Sequence, residues 1–477
     1  MDGEVKVVEE IKIIEEVKVK KEEILRKNEN SKIFSLLEKI SFWIMTALVF
    51  LLPFFFIPST FVPFLYGKNF FYCIAVLIVF IFWIIERLKD GKISFPSSAI
   101  FFSLLAVVFV SLVSALFSPS FGYSFIGDSF EIGTVAFILI SFIALFMIFT
   151  VFQSKSKIFY FYSAFFVSFF VVAFYQILRL FIGPDFLSFG VLTTSVSNLI
   201  GKWNDLGIYY GLVLILSLIT LENTKLTNFL KTLVWVSLAA SFLGVAVTNF
   251  FVLWVVVAIF SFIIIVYQIF INKEGLTVKT ESAKVVKQKL PLISIVALSV
   301  SLIFIFSSYF PMDAKTGIPH KFNIGNVIVS KFNIFQTEVR PSWGTSVEIA
   351  KQILSKKPIL GVGPNRFVFE WLLNKPKGVN ETIYWDTNFN FAIGLIPTYA
   401  VTTGILGILA WISFFTFLLY KGFRSILFPS QDSFSRYFIL SSFFASVYLW
   451  VFAFIYIPST IIYALAFLFT GIFLASA

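Results

Sequence analysis

The chain has 477 residues, of which 58% are hydrophobic and only 13% charged, and its mean hydropathy is +0.93. Soluble domains carry about 25% charged residues, so this chain lacks the polar atoms to cover a water-facing surface, and composition excludes a soluble globular class. One Cys and one His exclude a disulfide framework and argue against a Cys/His metal centre. The net charge of +11 is explained by Lys and Arg gathering beside cytoplasmic helix ends, not by a nucleic-acid partner.

Residues 1–34 are predicted to form a charged cytoplasmic tail. The first 30 residues hold nine acidic and seven basic side chains, in a short repeat that restarts at Val5, Ile11 and Val17. A six-residue period suits neither a heptad nor strand alternation, so the tail is read as solvated. Its acidic start and the lack of an early apolar core do not fit a signal peptide.

From residue 35 onward, apolar windows of about 20 residues predict twelve transmembrane helices. They fall near 36–57, 69–86, 97–117, 131–152, 158–181, 205–221, 229–247, 250–270, 291–310, 395–420, 435–456 and 460–476. Helices one to nine occupy 35–310 and ten to twelve occupy 395–477. With the N-terminus inside, the cytoplasmic connections hold Arg87, Lys89, Lys92, Lys155, Lys157, Lys225, the lysine-rich 273–289, Lys421, Arg424 and Arg436. The short outer connections hold only Lys68 and Lys202. That is the positive-inside pattern. The fold class is therefore an all-α, multi-pass protein of the cytoplasmic (inner) membrane, with both termini cytoplasmic. At 247–250 two helices must turn in almost no space.

Residues 311–394 are predicted to be one large extracytoplasmic loop, and long loops are usually functional. The segment carries ten basic and six acidic residues plus His320. Thr345 with Glu348 reads as a capping box, and Trp343, Val347, Ala350 and Leu354 share one helix face. Pro358 ends that helix, and Gly361-Val-Gly363-Pro364 reads as a tight turn. Arg340 stands at the helix entrance and Arg366 just after its exit.

The spans are nearly free of the mid-membrane charges that ion-coupled transport needs. Glu86, Arg179 and Arg436 sit at helix ends, where snorkelling accounts for them. Polar residues gather instead on the outer side: Arg179, the stretch Gly201-Lys202-Trp203-Asn204-Asp205, and the loop. Arg and Lys beside aromatic rings suit an anionic headgroup such as a polyprenyl diphosphate, with Arg able to grip phosphate bidentately. The residues alone leave open a second reading, in which they only anchor at lipid headgroups.

The run Arg340-Pro-Ser-Trp343, Ala350-Lys-Gln-Ile-Leu354, Lys357-Pro-Ile-Leu-Gly361-Val-Gly363-Pro364-Asn-Arg-Phe367 resembles the signature loop of the O-antigen ligase and polymerase family. Thr403-Gly404-Ile-Leu-Gly407 is similar to the turn that opens the family's next helix, and Gly201-Lys202-Trp203-Asn204-Asp205-Leu206 to its Gly-x-x-Asn-x-Leu stretch. The resemblance covers residues 195–420. It implies a lipid-linked glycosyltransferase that moves a glycan from an undecaprenyl-diphosphate donor to a glycan, lipid or protein acceptor at the outer membrane face, without metal or nucleotide. It further implies Arg340 on the donor phosphate with Arg366, Lys202 and Arg179 in support, and Asn204, Asp205, Trp343, Asn388 and Asn390 as further substrate contacts.

The chain departs from the family in two places. Ile393 stands near the usual loop His, and Thr248-Asn249-Phe250 replaces the family's Ser-Arg-Gly. Asp386 is the nearest carboxylate to the missing His and is the candidate acceptor-activating base, with Tyr384 and Trp385 expected to exclude water from it. The alternative is a non-catalytic or transport protein that handles polyprenyl-linked glycans on the same fold.

Overall fold

The computed structural model describes residues 35–91, 95–128, 130–271, 290–310, 320–334, 336, 338–457 and 459–477; the charged tail, Lys92, the lysine-rich 273–289 and Asp313 lie outside them. Helix is the regular structure of the described residues, with no strand among them. Helix α1 covers 35–51. It is followed by α2 (Phe64–Asp90), α3 (Ala99–Leu116), the short α4 (Phe121–Phe125), α5 (Val135–Val151), α6 (Lys155–Ile182), α7 (Trp203–Asn223), α8 (Asn228–Thr248) and α9 (Phe251–Val266). Then come α10 (Leu292–Ser307), α11 (Ile324–Lys331), α12 (Trp343–Lys356), α13 (Phe367–Asn374), α14 (Leu395–Thr402), α15 (Gly404–Leu427), α16 (Ser433–Ile455) and α17 (Thr460–Ser476).

Each of the twelve predicted windows holds a helix. Eight helices are long and apolar enough to cross a membrane, while α5, α10 and α17 are apolar but shorter. The chain is a multi-pass helical membrane protein. A helix that is apolar all round must be covered all round, and α7 and α17 meet that condition. Leu206–Thr220 and Thr460–Leu474 are buried throughout, packed against α16, α8 and α5. Peripheral helices instead leave apolar faces uncovered, such as Phe109 on α3, Phe174 on α6 and Phe262 on α9.

The segment 338–394 packs on the α14–α15 junction and reaches the start of α7 and the end of α16, and this end of the helix bundle is here called the loop rim. Several expectations are corrected there. The window 395–420 is not one helix. It breaks between α14 and α15 at Thr403–Gly404, where Gly404 has φ +66° and a Cβ would lie 2.5 Å from the Ile359 backbone. The Gly361 turn (φ +63°) docks into this break. The amides of Val362 and Gly363 donate to the carbonyls of Val401 and Thr402 (3.0 and 2.9 Å), and the Ser114 hydroxyl donates to Leu360 and Thr402. Backbone groups freed by a helix break thus find partners, as a low-polarity surrounding demands.

Helix α12 is capped by Ser342, whose hydroxyl accepts from the Thr345 amide (3.1 Å), not by Thr345 with Glu348. Its buried face is Ser346, Ile349, Ala350 and Ile353, while Trp343 and Val347 are exposed. The sequence carries apolar residues on two overlapping stripes, and contact with α14 and α13 selects the one containing both Ile residues.

Lys68 is not in a connection. It lies in α2, fully buried, donating to the carbonyls of Leu52, Pro53 and Phe55 (3.4, 3.2 and 2.7 Å), where it offsets the negative end of α1. The cramped turn at 247–250 is made by Asn249 in the left-handed region (φ +47°), whose side-chain amide donates to the Asn326 side-chain oxygen (2.9 Å).

Candidate functional site

On the loop rim, the starts of α2, α7 and α17 converge with the segments before α5 and α12 and with Asn388–Phe391. Between them is a cavity of about 670 Å³, within the size range of ligand sites. Its wall includes Lys202, Arg340, Asn388 and Asn390, four of the residues singled out in the sequence.

Tyr456, one residue beyond α16, organises the polar wall. The Lys202 ammonium and the Arg340 guanidinium lie 5.9 and 5.6 Å from its ring centroid, so both cations face one aromatic surface. The Tyr456 hydroxyl donates to one oxygen of Glu338, and the Asn204 side-chain amide donates to the other. Burial, then the nearby Asp205 and Glu338 carboxylates, hold the Tyr456 hydroxyl above the ordinary phenol range, so it stays a donor. Lys202 also donates to the Ile457 carbonyl (3.2 Å). Among the described residues, neither Lys202 nor Arg340 forms an ion pair with a carboxylate.

Below this wall Asp205 is fully buried in the first turn of α7. Ser459 stands beside it, its hydroxyl and backbone amide turned toward the carboxylate, and the Lys202 charge lies close enough to act on it. Ser459 and Thr460 belong to the wall, and Thr460 donates to Asn69, whose amide in turn donates to Phe130 (2.9 Å).

The other predicted residues are elsewhere. Arg179 is 4% exposed, and both terminal nitrogens of its guanidinium are bonded within the protein. It donates to the Tyr175 hydroxyl (3.1 Å) and to the carbonyls of Phe186 and Thr194 (3.2 and 3.0 Å), tying the following segment to the end of α6. Arg179 is therefore not a snorkelling cation, and it is not among the residues of the cavity wall. Arg366 lies over the Phe369 ring (4.6 Å), outside the cavity wall. It faces Tyr123, whose hydroxyl is raised by burial first and then by the Asp128 and Glu131 charges. Trp343 is exposed at the start of α12. Asp386 is exposed outside the wall, and Trp385 at 60% exposure does not exclude water from it. The strap carrying it is pinned by Lys375 donating to Trp385 and by the Trp371 indole donating to Thr387 (3.0 Å). His320 stacks on Phe310 and lies outside the cavity.

Sequence reasoning passed over Glu338 in favour of Asp386 among the outer carboxylates, and missed Tyr456 and Ser459 as site residues. Glu338 had one available signal. It lies two residues before Arg340, and alternate residues of an extended segment face the same way. Tyr456 and Ser459 flank a junction between two apolar windows, and nothing local marks them. No protein-family model matches the chain, and no curated protein matches it either.

Proposed function

We propose that the chain is a membrane glycosyltransferase resembling the O-antigen ligases. It takes a glycan from a polyprenyl-diphosphate carrier and joins it to an acceptor hydroxyl, with all twelve helices spanning the cytoplasmic membrane, both termini inside and the loop rim outside. One observation carries this reading. Lys202 and Arg340, distant in sequence, both lie against the Tyr456 ring in the wall of a large cavity, and among the described residues neither is in an ion pair with a carboxylate. Two such cations match the charge of a diphosphate, Arg gripping two oxygens and Lys supplying a mobile point charge. The amides of Asn388 and Asn390 suit sugar hydroxyls, and the uncovered apolar helix faces let a prenyl chain remain in lipid.

A non-catalytic carrier-binding protein is the second reading. The exposure of Asp386 outside the wall favours it, because the expected base is then not at the site.

The test uses purified full chain in proteoliposomes carrying polyprenyl-linked glycans and acceptors extracted from the source cells. Protein-dependent release of free polyprenyl diphosphate, read by mass spectrometry, is expected; no release above protein-free vesicles would end the transferase reading. Sidedness is checked separately after replacing Cys73. A cysteine at Ser355 should react with an impermeant thiol reagent in intact cells and one at Ser425 should not; the reverse result inverts the topology.

A further inference from the structure

Two carboxylates belong to the cavity wall, Glu131 and Glu338. Glu131 accepts from the Asp128 amide (3.3 Å) and from the Asn365 side chain (3.3 Å), and so fastens the turn before α5 to the turn before α13. Glu338 is held differently. Its two oxygens each accept one neutral donor, Tyr456 on one side and Asn204 on the other. These bonds fix the carboxylate in place, while no Lys or Arg forms an ion pair with it among the described residues. Each oxygen keeps a further lone pair. The two cations that an ion pair would have consumed face the ring of the same tyrosine that orients the carboxylate. One residue therefore sets a proton acceptor beside two anion-binding groups without letting them neutralise one another.

Building on the transferase reading, we propose that Glu338 is the proton acceptor for the attacking hydroxyl, in the place that sequence reasoning gave to Asp386. As the acceptor oxygen bonds the anomeric carbon of the donor sugar, its proton passes to the Glu338 carboxylate. The bond from that carbon to the diphosphate oxygen breaks, and its electron pair leaves on the diphosphate. The leaving group's charge falls to Arg340 and Lys202, and Glu338 afterwards returns its proton to water. Asn204 and Tyr456 are positioning residues, acting through Glu338.

The decisive comparison is Glu338→Gln against Asp386→Asn in the proteoliposome release assay, with binding of undecaprenyl diphosphate measured on each protein. The amide oxygen can still accept from Asn204 and the Tyr456 hydroxyl can turn to accept from the new amide, so Glu338→Gln is expected to fold. A positioned general base contributes about 10²–10⁴-fold. Glu338→Gln should therefore lose at least about 100-fold in release while binding stays within about threefold, Glu338→Asp should recover part of the activity, and Asp386→Asn should stay within about threefold of the parent. Release by Glu338→Gln within about threefold of the parent overturns the assignment and leaves the transferase reading standing. Loss of undecaprenyl diphosphate binding in step with release also overturns it, in favour of a structural carboxylate. A parent protein that neither binds undecaprenyl diphosphate nor releases it removes the transferase reading, and this assignment with it.

Discussion

At the rim opposite the loop, Lys155 meets Asp432 at 2.9 Å and Lys157 meets Glu38 at 2.5 Å, pairs that link the starts of α6, α16 and α1. Glu222 there accepts from both the amide and the hydroxyl of Ser294 (2.9 and 2.8 Å), joining the end of α7 to the start of α10. At the loop rim, Lys202 and Arg340 face an aromatic ring and Glu338 takes neutral donors. One rim spends its charges on each other, so they serve the fold. At the other, among the described residues, neither cation forms an ion pair with a carboxylate, which is the arrangement expected where an incoming charged ligand completes the pairing.

Substitution of arginine should separate the two uses of charge most sharply. Arg340→Lys removes the planar fork but not the charge, and a hydrogen bond to a charged group contributes about 1.5–3 kcal/mol. Binding of undecaprenyl diphosphate should then weaken about tenfold or more, with the unfolding temperature unchanged. Arg179→Lys should do the opposite. Its three acceptors are the protein's own, and leaving buried acceptors unpaired costs about 1–3 kcal/mol. A lowered unfolding temperature with little change in binding is expected, and the reverse pattern in these two variants would erase the distinction between a ligand-facing and a fold-serving cation.

The contrast between Arg340 and Arg179 also marks what was legible in the sequence. Helix positions were, because a 20-residue apolar window is a local property and each such window holds helix, one of them in two pieces. The break inside 395–420 was not, since α14 and α15 read as one apolar run and only the docked Gly361 turn satisfies the interrupted backbone. Whether a basic residue is exposed, structural or ligand-facing depends on which distant segments meet it. Arg179 and Lys68 look like terminal cations in sequence, yet both are buried and committed to backbone carbonyls. Glu338 and Tyr456 lie 118 positions apart, and no periodicity brings them together.

The smallest effect should come from Asp432. Its carboxylate makes two contacts of different kinds, the pair with Lys155 and a cap on α16, where it accepts from the Ser435 amide at 2.7 Å. The Lys155 hydrogen bond first, then those from Ser435, hold it down at about 2. Because the folded-state value is depressed, the associated stability is present above the unfolded value of 3.8 and is lost as pH falls through about 2. The group is fully exposed, so water and salt screen the pair heavily. Asn is as good an N-cap as Asp and carries no charge. Asp432→Asn should therefore leave the unfolding temperature at pH 7 nearly unchanged, whereas Asp432→Ala should lower it by losing the cap. Thermal unfolding of both variants at low and high salt decides the matter. Equal losses at low salt that vanish at high salt would mean the ion pair, not the cap, is what the opposite rim relies on.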